Sequence, residues 1–331
     1  MPVKYGFLVL LIIIILSSPS WVKEDVSQSP VDDSPQLTGK SITRDMVKEL
    51  ALAKTVLPVE ATSTPTVAAT ALPPTAEPTP TSTPTPQWIW NSPGEVVAPI
   101  LLYHHVANRD PSSRYFISPD VFEDQMRILH RWGYTTIPLS LLVEALVEGA
   151  ELPPRPVVIT FDDGYRDVVN HALPIMQHYG FRGVAYAIAG QIGKGKYMKP
   201  AELRELFDAG WEIGSHSWSH PNLRSESVSL QREIVESRLK LEELLGSPLE
   251  TFAFPYGLTS KYITGLVKEE GYLAAVGLGT SSRHTEKTRY YLSRIEVRSE
   301  YDLQQFKALL PWSGVPDRGK RLRNDQQPGN P

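Results

Sequence analysis

From residue 96 to residue 312 the chain alternates two hydrophobic patterns. Short, nearly continuous apolar runs at 99–103, 157–161, 184–188, 212–215, 251–254, 274–276 and 292–297 have the length of buried strands. Between them apolar residues recur three and four apart, which predicts helices over 119–132, 139–148, 168–179, 200–209, 227–245, 260–270 and 301–310. Six of these helices run into a glycine, at Gly133, Gly149, Gly180, Gly210, Gly246 and Gly271, as a left-handed C-terminal cap requires. Strands that are apolar throughout are covered on both faces, and a repeating strand-then-helix order implies a parallel sheet, closed as a barrel or doubly wound. In such folds the chemistry gathers at the C-terminal ends of the strands.

The flanks depart from this pattern. Residues 7–16 form an uninterrupted apolar run after Lys4, too short to cross a bilayer as a helix, which takes about 20 residues. With Ser17, Ser18 and Ser20 behind it, the segment 1–20 reads as an export signal, and Pro19 leaves an uncleaved membrane anchor open. Residues 21–61 form a low-order stretch with one possible short helix at 41–56. Over residues 62–86 Thr and Pro supply 16 of 25 positions and Glu77 is the only charge, so this stretch cannot bury a core and is expected to be an extended spacer. The spacer is taken to end at residue 95, the folded domain to occupy 96–316, and the polar tail 317–331 to fray.

Composition narrows the chemistry. Against 33 Lys and Arg stand 37 Asp and Glu, a net charge of -4, without the basic surplus of a nucleic-acid binder. With 41% hydrophobic and 21% charged residues, the chain is neither a disordered polyampholyte nor a multi-span membrane protein. There is no cysteine, which excludes disulfides, a thiol nucleophile and thiolate-held metals and leaves His, Asp and Glu as metal ligands.

Four strand-end segments carry candidate chemistry. In TFDDG at 160–164, two adjacent carboxylates repel each other unless a cation or a shared proton intervenes; a helix-capping turn would serve the same residues equally well. In HSWSH at 216–220, His216 and His220 stand four apart and would face one metal ion from a helical turn cut short by Pro221, or else are two neighbouring surface histidines. FPYG at 254–257 ends a strand in a turn that could present the backbone N–H of Tyr256 as an oxyanion donor, though a plain corner fits as well. YHHV at 103–106 places His104 and His105 at the end of the first strand of the domain, where an acid or base would be wanted.

In this order and spacing the four segments resemble the polysaccharide deacetylase family, also called carbohydrate esterase family 4 or the NodB homology domain, over about residues 99–297. The resemblance implies an α/β fold, a distorted (β/α)7-type barrel, and one divalent cation, usually zinc, with cobalt, nickel or iron acceptable to the same donors. It implies Asp163, His216 and His220 as ligands, Asp162 as the general base acting on the attacking water, the Tyr256 N–H as an oxyanion donor, and a histidine as the acid for the departing amine.

The sequence departs from the family pattern twice. The usual Leu-x-His acid motif is missing from the region YYLSRIEVRSE, and the early YHHV resembles a secreted poly-N-acetylglucosamine deacetylase subgroup, which points to His104 as the acid, with His105 second. Where the family carries an Arg that holds the base, this chain has Thr251, Phe252 and Ala253; Arg294, on the last strand, is the candidate replacement. Tyr165, Trp218, Pro255 and Tyr256 lie beside the ligand positions and are candidates for contact with sugar rings, Trp218 being equally suited to packing. The expected activity is metal-dependent removal of N-acetyl groups from peptidoglycan, poly-N-acetylglucosamine or chitin-like polymer, outside the cell or at its envelope. A silent glycan-binding domain and an O-acetyl xylan esterase are the alternatives.

Overall fold

The computed structural model describes residues 87–108 and 113–316. The expected export segment, the helix at 41–56, the Thr/Pro stretch and the C-terminal tail lie outside the described residues.

Seven strands make the main path of one parallel sheet: β1 (Ile100–Tyr103), β2 (Pro156–Phe161), β3 (Val184–Ala187), β4 (Glu212–Ser215), β5 (Thr251–Ala253), β6 (Ala274–Val276) and β7 (Ile295–Glu296), with a two-residue eighth strand, Thr135–Thr136, parallel to the start of β2. Their order is β6-β5-β4-β3-β2-β1-β7, every neighbour parallel. The chain entering β7 also returns to the far edge: Leu292 N–H donates to Ala275 O, Gly277 N–H to Leu292 O and Gly279 N–H to Arg294 O, each at 2.9 Å. These bonds bring the sheet round on itself, so the barrel expected from the strand-helix repeat is present, with its seventh strand only two residues long.

Strand pleat sorts the side chains. On β2, Val157, Ile159 and Phe161 face outward into a cluster with Phe122, Met126, Leu129 and Met176, whereas Val158 joins Ile100, Val184, Tyr186, Ala253, Ala274 and Val276 in a separate cluster. Thr160 and Asp162 continue that second, inward row at the C-terminal end. Each fully buried Phe, Leu or Met contributes about 1.5–3 kcal/mol, so the helices are fastened to the outside of the sheet by dispersed burial.

The helices are α1 (Pro119–Arg131), α2 (Leu139–Val147), α3 (Leu173–His178), α4 (Pro200–Asp208), α5 (Ser237–Leu245), α6 (Lys261–Glu269) and α7 (Leu303–Ala308). All six glycines read as helix stops have positive φ, from 62° at Gly246 to 86° at Gly149. Two helices expected to be continuous begin instead as wide turns, Val168–Ala172 before α3 and Gln231–Glu236 before α5. In the first, Pro174 offers no N–H and its ring crowds the preceding turn; the Leu173 N–H bonds the carbonyl of Val168, five residues back.

Residues 89–91, within the stretch expected to be spacer, form a strand. Ile89–Asn91 pairs antiparallel with Ala150–Leu152, because the aromatic and β-branched run after the last proline favours a strand once an edge is available. Among the described residues no helix is long and apolar enough to cross a membrane.

Candidate metal and catalytic site

At the end of β2 the two adjacent carboxylates separate. Asp162 keeps the inward direction of the pleat and is 3% exposed. Asp163 adopts φ 72° and turns away, and Gly164 follows at φ 77° where an added Cβ would lie 3.3 Å from the Ala187 backbone. That left-handed pair is what sends neighbouring side chains to different partners.

Asp162 meets Arg294 in a bidentate pair, Nη1 to Oδ1 at 2.6 Å and Nη2 to Oδ2 at 2.7 Å. Arg294 is 1% exposed, its Nε donates to Gly277 O at 3.1 Å, and its plane lies 5.4 Å from the Tyr186 ring. Burial opposes charge on Asp162, but the Arg294 guanidinium and the nearby His216 outweigh it and hold the carboxyl well below the usual carboxylate range.

Asp163 meets the two histidines of the second segment. These do not lie on a helical turn: Ser217 and His220 have φ 64° and 63°, so the segment is a loop, cut short as Pro221 demands. His216 Nδ1 bonds Ala253 O at 2.8 Å, which leaves Nε2 facing Asp163 Oδ1 at 3.7 Å and Asp162 Oδ2 at 3.5 Å. His220 Nε2 lies 3.5 Å from the same Asp163 oxygen. Burial, helped by the neighbouring His220 and Arg294, pushes His216 down to about 4 against the pull of Asp162 and Asp163, so its Nε2 lone pair is free at neutral pH.

One donor atom from each of Asp163, His216 and His220 lies within 4.8 Å of the others. Asp163 Oδ1 is buried and takes no hydrogen bond from the described residues. A buried carboxylate oxygen without a hydrogen bond, facing two imidazole nitrogens, is an arrangement that a cation would satisfy, and the donor set fits a divalent metal.

The loop is held by a residue the sequence reading missed. Glu233, 5% exposed, accepts the N–H groups of Trp218 at 2.9 Å and Ser219 at 2.8 Å on Oε2, and the Ser219 hydroxyl at 2.8 Å on Oε1. Its only sequence signal is an acidic residue on the buried face of an amphipathic stretch.

A cleft of about 390 Å³ opens over this cluster, lined by His104, His105, Tyr165, Tyr256, Lys196 and Arg114 among others. His104 tilts against Tyr115 at 4.5 Å, and burial lowers its pKa while Asp162 and Asp163 pull it up. His105 is buried between the rings of Phe116 and Tyr165 at 4.0 and 3.7 Å. Tyr256, at φ 59° and 58% exposed, sets its ring edge-on to His220 at 4.6 Å. Trp218 and Pro255 do not line the cleft: the Trp218 indole lies over Gly190 and beneath Arg232, 5.0 Å from its ring, and Pro255 is buried under the turn. The non-glycine residues with positive φ among those described, Asp163, Ser217, His220 and Tyr256, all belong to this site, as strain held at a functional site would.

The family model described as Polysaccharide deacetylase matches residues 149–275, which run from β2 into β6 and include the segments at 160–164 and 216–220. The poly-beta-1,6-N-acetyl-D-glucosamine N-deacetylase of Staphylococcus aureus is 23% identical over 201 residues, 56% of this chain and 69% of that protein. Among solved structures, the Streptococcus pyogenes deacetylase PplD in complex with acetate shares the fold at TM-score 0.58 and 21% identity, over 68% of this chain and 99% of that one. IcaB from Ammonifex degensii does so at TM-score 0.56 and 22% identity, over 65% of this chain and 95% of that one. The matched segment runs through the cluster of Asp163, His216 and His220, and the barrel is the fold of these deacetylase structures.

Proposed function

We propose that this chain removes N-acetyl groups from a polymer containing N-acetylglucosamine, releasing acetate and leaving a free amine. The observation that carries the reading is the pairing in one cleft of a cation-seeking trio, Asp163, His216 and His220, with a second carboxylate, Asp162, kept ionised by Arg294. The similarity to the S. aureus enzyme supports the N-acetyl substrate class.

Asp163, His216 and His220 would hold one divalent cation, zinc being the first candidate for two imidazoles and a carboxylate. Such an ion, when bound, supplies Lewis acidity toward the acetyl carbonyl and the attacking water. Asp162 takes the proton from that water. Its remaining lone pairs are free even with both oxygens on Arg294, and the guanidinium keeps it anionic across the working pH range. The backbone N–H of Tyr256 is the candidate donor to the developing oxyanion. His104 gives a proton to the departing amine; a pKa lowered by burial makes its imidazolium a readier donor. The exposed Tyr256 ring at the cleft is suited to the face of a sugar, whereas Tyr165, expected to do the same, is buried with its ring stacked on His105 at 3.7 Å and on Tyr197 at 5.2 Å. The apolar run at 7–16 and the Thr/Pro stretch after it support an exported enzyme held within reach of envelope or matrix glycan.

The test is acetate release by the full chain, with and without added zinc, from N-acetylglucosamine oligomers, poly-N-acetylglucosamine, peptidoglycan and acetylated xylan. Zinc-dependent acetate from an N-acetylated substrate, lost at least about 100-fold in Asp162→Asn with bound zinc retained, is expected. Release from xylan alone turns the assignment to an O-acetyl esterase, and zinc binding without acetate from any of the four turns it to a glycan-binding domain.

A further inference from the structure

The end of β1 is pinned to the metal-site turn by two side chains outside the catalytic set. Residues 105 and 106 pair in parallel with Phe116–Ile117, and in this pairing His105 N–H donates to Tyr115 O at 3.1 Å and Ala107 N–H to Ile117 O at 2.9 Å. Alternate residues of a strand turn their backbone groups to opposite edges, so those of Val106 face away from this partner. No strand lies there to receive them. Instead Val106 N–H donates to Asp167 Oδ1 at 3.1 Å, and His171 Nδ1 donates to Val106 O at 2.6 Å.

Asp167 and His171 are four apart where the wide turn Val168–Ala172 begins, so one face of a single helical segment supplies both a donor and an acceptor in the pattern of a missing strand. The second oxygen of Asp167 takes His105 Nδ1 at 2.6 Å, with the ring already fixed between Phe116 and Tyr165. On the other side of His104, Asp162 N–H donates to Tyr103 O at 3.0 Å. His104 therefore sits between two fixed points, both attached to the chain that carries Asp162 and Asp163.

We propose that Asp167 and His171 are positioning residues: they clamp the 104–106 segment to the turn bearing Asp162 and Asp163, and so hold His104 in register with the reacting amide. Both act through the backbone of Val106 and the ring of His105, not on substrate. The kinetic consequence rests on the deacetylase reading; the clamp itself does not.

The experiment uses the full chain loaded with zinc, N-acetylglucosamine oligomers as substrate, and amide hydrogen exchange at residues 104–107 read by NMR. In Asp167→Ala, kcat is expected to fall about 10- to 100-fold while KM and bound zinc stay within about threefold, because misplacing a proton donor weakens the transition state more than binding. The Val106 amide should exchange at least about 10-fold faster, having lost its acceptor. His171→Asn keeps a donor at the position of Nδ1 and should hold kcat within about threefold of the parent, whereas His171→Ala should fall with Asp167→Ala. Unchanged exchange at Val106 in Asp167→Ala, parallel loss of zinc, or His171→Asn no better than His171→Ala overturns the clamp. If the parent releases no acetate from any substrate, the deacetylase reading fails and the exchange result alone decides the clamp.

Discussion

Asp162 and Asp163 are neighbours with opposite partners, and the difference lies in one backbone angle. The FDDG segment poses the problem of two adjacent carboxylates, but the left-handed turn at Asp163 that solves it has no signature beyond the following glycine. Arg294 was legible only as a cation at a strand end. That it spans the barrel to reach Asp162, 132 residues away, depends on a closure formed by single hydrogen bonds. The pair also fixes how substitutions should behave. Removing one member of a buried ion pair leaves the other uncompensated, which destabilises by about 3–5 kcal/mol, while removing both with the volume kept is close to neutral. Arg294→Met is therefore expected to lower unfolding free energy by about that amount, and Asp162→Asn combined with Arg294→Met to recover most of it. Urea denaturation of the four proteins of this cycle checks it, and equal loss in the single and double variants would mean that Arg294 stabilises through packing alone.

At the scale of elements, period and punctuation were informative where elements are long. The apolar runs located all seven barrel strands, and the six glycines marked the helix ends. What escaped were strands of two or three residues, whose pattern is too short to have a period: Ile89–Asn91 with Ala150–Leu152, residues 105–106 with Phe116–Ile117, Thr135–Thr136 beside β2, and Arg283–His284 with Val96–Val97. The HSWSH segment misled for a related reason, since a spacing of four suits a helix, yet two left-handed residues give the same convergence from a loop braced by Glu233. The small strand Arg283–His284 also carries a pH-sensitive group. His284 is 1% exposed, its Nε2 lies 3.0 Å from Ala98 O, and burial pushes it down to about 4 from 6.5, the carbonyl offsetting only part. Its folded pKa is thus below its unfolded one, so the fold favours the neutral ring. That stability is fully present above about pH 6.5 and is lost as pH falls toward 4. For this one group the loss between pH 7 and pH 5 is about 2 kcal/mol. His216 is displaced in the same direction, so the measurement is the difference between the parent and His284→Gln: the variant's unfolding free energy should fall less by about that amount, and parallel curves would show that His284 is protonated or hydrated in the fold.

At the scale of the whole molecule, the barrel gathers residues from β2, β4, β5 and β7 at one rim, and the cation-seeking trio joins two of the loops there. Asp163 leaves β2 and both histidines leave β4, with β3 between them in the sheet. This convergence was legible in order, because motifs at strand ends must meet on one face of a parallel barrel, whereas the cleft walls were not, as Trp218 turned inward to pack over Gly190. Bringing Asp163 Oδ1 out of water, 3.7 Å from His216 Nε2 and 3.5 Å from His220 Nε2, leaves a carboxylate oxygen with no hydrogen bond from the described residues. Folding without a cation bears that cost, and a cation that binds the folded site alone shifts the equilibrium by mass action. Free zinc at about 100 times its dissociation constant would add about 2.7 kcal/mol, which for a domain of this size raises Tm by about 5–10 °C. Asp163→Ala should abolish that rise and, measured with chelator present, should not be less stable than the parent, because it deletes the unbonded oxygen together with its carboxylate. Thermal unfolding of both proteins with chelator and with zinc gives the comparison. A rise of equal size in Asp163→Ala would locate the zinc elsewhere, and a chelated variant well below the parent would mean that Asp163 is already satisfied by water or by a proton, so that the trio is not built around a missing cation.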